Sequence, residues 1–150
     1  MKPTRIDGRI GYRMVRTAMR VRKAHADALA ECGLLPSQHA VLAVLAADGP
    51  EYQKRLAAKT TVDAGDLVGH LDDLQERGYV VRERDPGDRR RHIVRLSDDG
   101  RVKLAEADRL LDGVEATLFG ALDADQRVRL LDAIDEVYSA AEAQARARHI

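Results

Sequence analysis

The chain holds one cysteine, Cys32, so it can form neither an internal disulfide framework nor a multi-cysteine zinc site. It has no tryptophan and one phenylalanine, so its core must be built from Leu, Val, Ile and Ala. No apolar run approaches the roughly 18 residues of a membrane span. The opening MKPTRIDGRIGYRMVR lacks the apolar region of a signal peptide. A cytoplasmic protein without membrane contact is expected. Net charge is missing too, because 25 Lys and Arg balance 25 Asp and Glu. That balance excludes a uniformly basic nucleic-acid coat and an acidic disordered tail. There is no Gly-rich phosphate loop, no Gly-x-Ser-x-Gly and no nucleophile–base set, so no enzyme and no cofactor are expected. Five histidines are present, but none pairs with another at metal-ligand spacing, and no metal is expected.

What is present is unevenly placed charge. Residues 1–23 carry eight bases (Lys2, Arg5, Arg9, Arg13, Arg16, Arg20, Arg22, Lys23) against Asp7 alone. Residues 98–150 carry twelve acids against seven bases. Between them, Arg82 to Arg95 contains six arginines against Glu83, Asp85 and Asp88.

Periodicity predicts mostly helix. Ile6, Ile10, Met14, Thr17, Val21, His25, Ala28 and Leu29 mark an amphipathic helix over about 5–31, stopped at Gly33. At about 1.5 Å per residue it spans roughly 40 Å, too long for a small globule to cover. A second helix opens at Pro36-Ser37, turns Val41, Leu42 and Leu45 inward, and breaks at Asp48-Gly49-Pro50. A short third, about 52–59, places Tyr52, Leu56 and Ala57 on one side. Asp63 caps a fourth with a buried stripe of Leu67, Val68, Leu71 and Leu74, ended by Gly78. Strands are predicted over 79–83 and 92–96, joined by the turn Asp85-Pro86-Gly87-Asp88. Ser97 caps a fifth helix and Asp123, with Gln126, a sixth, its end fraying after Ala143.

That order is a winged helix-turn-helix, mainly α with a small β-wing, flanked by N- and C-terminal dimerisation helices. Residues 34–97 make the DNA-binding region; 1–33 and 98–150 make the helical dimerisation region. The terminal helices lack partner surface in one chain, which a homodimer would supply.

Asp88-Arg89-Arg90, five residues, Leu96-Ser97 and Gly100 three further on resemble the multiple-antibiotic-resistance-regulator (MarR) family, whose pattern is D-x-R, five residues, L-[ST], two residues, G. Leu71 to Arg82 is similar to its "L-x-x-L-E-x-x-G-L-V-x-R", and Leu34 to Leu42 loosely to its "L-T-x-x-Q-x-x-V-L". The resemblance covers essentially the whole chain. It implies a dimeric transcription factor, usually a repressor, that binds a pseudo-palindromic duplex and is released by a small phenolic or other lipophilic ligand. The alternative is a dimeric winged-helix interaction module that has lost specific DNA binding.

In such a protein a helix enters the major groove while the hairpin reaches the minor groove, whose narrow electronegative floor suits Arg. Arg90 is the expected minor-groove residue, braced by Asp88, with Arg89 and Arg91 on phosphates or stabilising the hairpin. Gly65, Asp66, Gly69 and His70 are the candidates on the reading helix, and Ser37, Gln38 and Lys54 complete the DNA-binding set. The reading helix departs from the family, which often has small hydroxyl residues and an Arg where this chain has Gly65, Asp66 and Gly69. It carries Asp63, Asp66, Asp72, Asp73 and Glu76 and no base before Arg77, the warrant for the interaction-module alternative. A ligand pocket is expected where the second helix meets the first and fifth, with Tyr12, Arg16, His25 and His39 as polar contacts and Met14 and Met19 as walls.

Overall fold

A computed structural model describes residues 5–149; Lys2 of the basic N-terminal run lies outside them. A 3₁₀ turn, Ile6–Gly8, precedes α1 (Ile10–Ala30), and α2 (Pro36–Asp48), β1 (Glu51–Tyr52), α3 (Gln53–Thr60) and α4 (Ala64–Glu76) follow. The hairpin β2 (Val80–Arg84) and β3 (His92–Leu96) leads into α5 (Asp98–Phe119) and α6 (Ala124–Ala147). The chain divides into two compact units, one up to Val114 and one from Glu115.

In the first unit, one aliphatic core gathers Leu29, Leu34, Val41, Leu42, Leu45, Leu56, Leu67, Leu71, Leu74, Val80, Val94, Leu96 and Leu104. Each such side chain contributes about 1.5–3 kcal/mol on full burial. Leu67, Leu71 and Leu74 are spaced by four and three and turn one face of α4 inward. Val68, which the sequence pattern groups with them, is instead 42% exposed, because one residue along a helix rotates the side chain by about 100°.

The sheet has three strands in the order β1-β3-β2, both pairings antiparallel, with Arg82 opposite Val94 and Tyr52 opposite Ile93. Periodicity predicts the hairpin but puts Tyr52 on the third helix. Tyr52 instead sits in a two-residue edge strand, too short for alternation to register. The first helix begins later than expected, since Arg9 is extended (φ −84°, ψ 128°) and caps the preceding turn. The last helix runs past the expected fraying point to Ala147.

Caps follow the sequence. Ser97 Oγ accepts from Gly100 N–H at 3.0 Å and donates to the Gly78 carbonyl at 2.5 Å. Gly100 is glycine for a steric reason: an added Cβ would lie 2.1 Å from the Tyr79 carbonyl oxygen. The Leu96-Ser97 to Gly100 part of the MarR-like spacing is thus where the end of β3, the start of α5 and the residues before β2 lock together. In the second unit, Asp123 accepts from Gln126 N–H at 2.8 Å while Gln126 accepts from Asp123 N–H at 3.0 Å. The apolar stripe of α6, Val128, Leu131, Ile134 and Tyr138, lies exposed.

Candidate nucleic-acid interface

Four elements build the candidate surface: the tip of the β2–β3 hairpin, the first turns of α4, and the N-terminal ends of α2 and α3. The tip is ordered by its own acids. Asp85 Oδ1 accepts from Gly87 N–H at 2.9 Å, and the backbone closes through Asp85 N–H to Arg91 O and Arg91 N–H to Asp88 O, both 2.9 Å. Asp88 accepts from the Arg90 guanidinium at 3.1 and 3.3 Å and from Arg90 N–H at 3.1 Å. Those contacts, the guanidinium first, hold the Asp88 carboxyl below its ordinary value. The brace costs little reach, because the Arg90 side chain remains 91% exposed.

The rest of the hairpin is tied down. Arg91 lies over the Tyr52 ring at 5.2 Å, with its Nε 3.7 Å from Asp88. Arg84 donates to the Arg89 carbonyl at 3.2 Å, and Arg95 pairs with Glu83 at 3.5 Å. Arg82 joins hairpin to helix, donating to Gln75 Oε1 at 2.7 Å and to Asp72.

A cleft of 480 Å³ between α3, the start of α4 and the tip end of the hairpin brings Lys54, Arg90 and Arg91 together with Arg55, His92 and Tyr52. Sequence reasoning missed Arg55 and His92. Arg55 of α3 meets His92 of the hairpin because β1 pairs with β3, a contact that no local pattern announces. A second cleft of 450 Å³ collects Ser37, Asp66 and His70 with Arg22 of α1. The clefts suit phosphate and groove edges, because they gather cations from the hairpin, α1 and the start of α3 with a hydroxyl at the start of α2.

The acids of α4 are mostly spent inside the protein. Asp63 caps the helix, accepting from Gly65 N–H at 2.8 Å, Asp72 binds Arg82, and Asp73 binds Gln38 and Arg77. Gly65, Asp66, Val68 and Gly69 face outward on the first turns, so the exposed face there carries one acid among small and apolar residues. Gln38 does not lie on that surface. It is 3% exposed, and both ends of its amide bond inside the chain, so its side chain is an interior polar link.

The four residues expected to line a ligand pocket are not gathered by either cleft. Tyr12 and Arg16 lie exposed on α1. His39 of α2 contacts Asp108 of α5 through Nε2 at 2.9 Å. His25 has a buried Nε2 without a hydrogen-bond partner among the described residues. Cys32 is buried, with Sγ 3.3 Å from the Leu29 carbonyl.

The family model described as MarR family matches residues 33–91, which run from the α1–α2 turn through the hairpin tip. The solved transcriptional repressor CouR, bound to a 23-mer DNA duplex, is 33% identical, with a TM-score of 0.83 over 92% of this chain and 98% of that one. This chain belongs to the MarR family. A second MarR-type structure, CouR from Rhodococcus jostii RHA1 bound to p-coumaroyl-CoA, is 26% identical with a TM-score of 0.77, covering 90% of this chain and 95% of that one. Among curated relatives, the HTH-type transcriptional repressor NicR of Pseudomonas putida is 33% identical over 63% of this chain and 60% of its own. The matched stretch spans 66%, 46% and 60% of the curated relatives YkoM and YcgE of Bacillus subtilis and NicR. No helix among the described residues is long and apolar enough to cross a membrane.

Proposed function

We propose that the protein is a homodimeric, cytoplasmic DNA-binding transcriptional repressor that acts by binding rather than catalysis and is released from its operator by a small ligand. The observation that carries this reading is the hairpin tip. Arg90 is held by Asp88 yet left 91% exposed, next to a helix whose outward face can approach base edges. The likeness to CouR on a DNA duplex supports it across almost the full chain. Arg90 then enters the minor groove, and Lys54, Arg89 and Arg91 take phosphates. Ser37 meets the backbone at the start of α2, and Gly65, Gly69 and His70 face the major groove with Asp66 beside them.

Exposed apolar residues in each unit support the dimer: Ile6, Ile10, Val15 and Met19 in the first, Val128, Leu131, Ile134 and Tyr138 in the second. Patches of that kind rarely face water in a monomer. Two reading heads about one helical turn apart, roughly 34–36 Å, then require a pseudo-palindromic operator. The p-coumaroyl-CoA bound by CouR supports an effector of phenolic or related lipophilic chemistry, with Tyr12, Arg16, His25 and His39 as polar contacts. Such a ligand shifts the equilibrium only by its differential affinity for the two head arrangements.

The test is fluorescence anisotropy against the intergenic duplex upstream of the protein's own gene and a scrambled duplex, across a salt series. Operator affinity is expected to exceed scrambled affinity by at least about a thousandfold and to fall steeply with salt as counterions are released. Equal weak binding to both duplexes, or none, would overturn the reading.

A further inference from the structure

Burial of Leu67, Leu71 and Leu74 holds α4 onto the core, but apolar contact is non-directional. It fixes which face of the helix turns inward but sets rotation about the axis and sliding along it only coarsely. A helix that reads base edges needs its pose fixed to about half an ångström. Something directional must do this, and α4 has one nearly buried polar anchor from another helix.

Gln38 of α2 donates through Nε2 to Asp73 Oδ2 of α4 at 2.7 Å, while its Oε1 accepts from Leu35 N–H at 3.0 Å. Because Leu35 offers an N–H, the amide orientation is settled, and the NH₂ must face the carboxylate. The same Asp73 oxygen accepts from Arg77 at 3.3 Å, and Arg77 donates to the Gly33 carbonyl at 2.8 Å. Gly33 has φ +75°, and an added Cβ would lie 3.0 Å from Arg77 Nη2, so the turn is shaped to receive that guanidinium. Arg77 also stands over the Tyr79 ring at 5.0 Å. Lys103 of α5 also reaches the Cys32 carbonyl at 3.3 Å and approaches the same ring at 5.7 Å. The α1–α2 turn is thus pinned by one cation from the end of α4 and one from α5.

We propose that Gln38 and Asp73 are positioning residues for DNA recognition. Their hydrogen bond sets the pose of α4 against α2, and Arg77 carries that register to the α1–α2 turn. The inference rests on the DNA-binding reading above only for its biological consequence. The acid at 73 then serves as the acceptor that orients the reading helix instead of as charge presented to phosphates.

The experiment compares wild type, Gln38→Glu and the double variant Gln38→Glu/Asp73→Asn in two assays. In Gln38→Glu, one oxygen of the new carboxylate can still accept from Leu35 N–H, but the other meets Asp73 as a like charge. Adding Asp73→Asn supplies an NH₂ from the α4 side and restores the bond with its direction reversed, while giving up the contact that the same Asp73 oxygen makes with Arg77. Anisotropy on the upstream and scrambled duplexes is expected to show Gln38→Glu at least about tenfold weaker on the upstream duplex, the size of one lost buried hydrogen bond. Scrambled binding, set by phosphate contacts, should change less than about twofold. The double variant should recover part of the selectivity, because the bond between α2 and α4 returns without the Arg77 contact. Amide exchange, read without DNA, is expected to quicken over residues 64–76 in Gln38→Glu and to return in the double variant, with α6 unchanged. If Gln38→Glu fails to fold, Gln38→Met keeps the length of the side chain and loses both hydrogen bonds, and should give the same pattern. Wild-type selectivity and exchange in Gln38→Glu, or no recovery in the double variant, would overturn the proposal. If wild type binds neither duplex, the DNA-binding reading falls while exchange over α4 still decides whether the pair sets its pose.

Discussion

The Tyr52 hydroxyl donates to the Asp85 carboxylate at 2.9 Å, tying the two-residue strand β1 to the first residue of the hairpin loop. The same ring receives Arg91 on its face at 5.2 Å. One aromatic residue therefore holds both the start of the hairpin loop and one of its arginines. Tyr52→Phe keeps the stack and removes the hydrogen bond, which is partly exposed and worth about 1 kcal/mol. Thermal unfolding should register a loss of that order. Operator affinity should fall modestly as the tip gains freedom, and equal affinity would show that β1 does not position the hairpin for binding.

Arg90→Ala should lower operator affinity by about 1–3 kcal/mol, as expected for a groove contact. Asp88→Asn should cost less, because it removes the charge that braces Arg90 while leaving the guanidinium in reach. The informative quantity in anisotropy titrations is the ordering of the two losses. A folded Arg90→Ala protein that binds as tightly as wild type would remove the hairpin tip from the mechanism.

Glu51 and Lys59 make stability depend on pH at both extremes. Lys59 donates to Glu51 at 2.7 Å and to Asp48 at 2.9 Å. The Lys59 hydrogen bond lowers the Glu51 carboxyl, against burial that opposes it, and the Glu51 and Asp48 bonds raise the Lys59 ammonium. A depressed carboxyl stabilises the fold fully above its unfolded value, about 4.3, and loses that contribution as pH falls through the lower folded value. A raised ammonium stabilises fully below about 10.4 and loses it as pH rises through the higher folded value. Glu51→Gln should therefore lower the melting temperature most near neutrality. The gap to wild type should close towards about pH 3, and a constant gap across a pH series of melts would rule the ion pair out as its source.

Ile134→Glu places a charge in the exposed apolar stripe of α6, where Ile134 is 44% accessible in the single chain. If that stripe is covered by a second copy, the substitution should shift the mass measured by light scattering from dimer towards monomer. Operator affinity should fall with it, because one head holds only half the contacts. A dimer of unchanged stability would place the interface elsewhere.

The elements legible in the sequence are those with local signatures. Gly33 ends α1, Asp123 with Gln126 opens α6, and the Asp85-to-Asp88 turn joins two short strands; each of these is decided within a few residues. The spacing from Asp88 to Gly100 is legible as a family resemblance, and its physical basis is the close approach of Gly100 to Tyr79. Contacts between residues far apart are not legible. Tyr52 reads as helical until β3 is beside it, and Gln38 reads as an exposed residue at a helix start until Asp73, 35 positions later, is placed against it. Counting acids on α4 likewise overstates its repulsion, because Asp73 meets Arg77 one turn along and Asp72 meets Arg82, a strand residue that only the fold brings near.

Two glycines in helices should respond to alanine with opposite signs. At Gly100 a Cβ would meet the Tyr79 carbonyl oxygen at 2.1 Å and Leu96 Cδ1 at 2.6 Å, and the same carbonyl accepts from Ser97 N–H at 3.1 Å. Neither backbone nor buried leucine can move cheaply, so Gly100→Ala should destabilise by about 3 kcal/mol or more, the upper range for overpacking. At Gly69 a Cβ would meet nothing within 4 Å, so the fold gives no reason for glycine there. Gly69→Ala should raise stability by about 0.8–1.0 kcal/mol from helix propensity alone. If the outward face of α4 approaches base edges closely, the same stabilised variant should bind its operator more weakly, since the added methyl group stands where the duplex must come. Calorimetry and anisotropy on that one protein separate the two effects. Higher stability with unchanged operator affinity would mean that α4 does not present Gly69 to the groove.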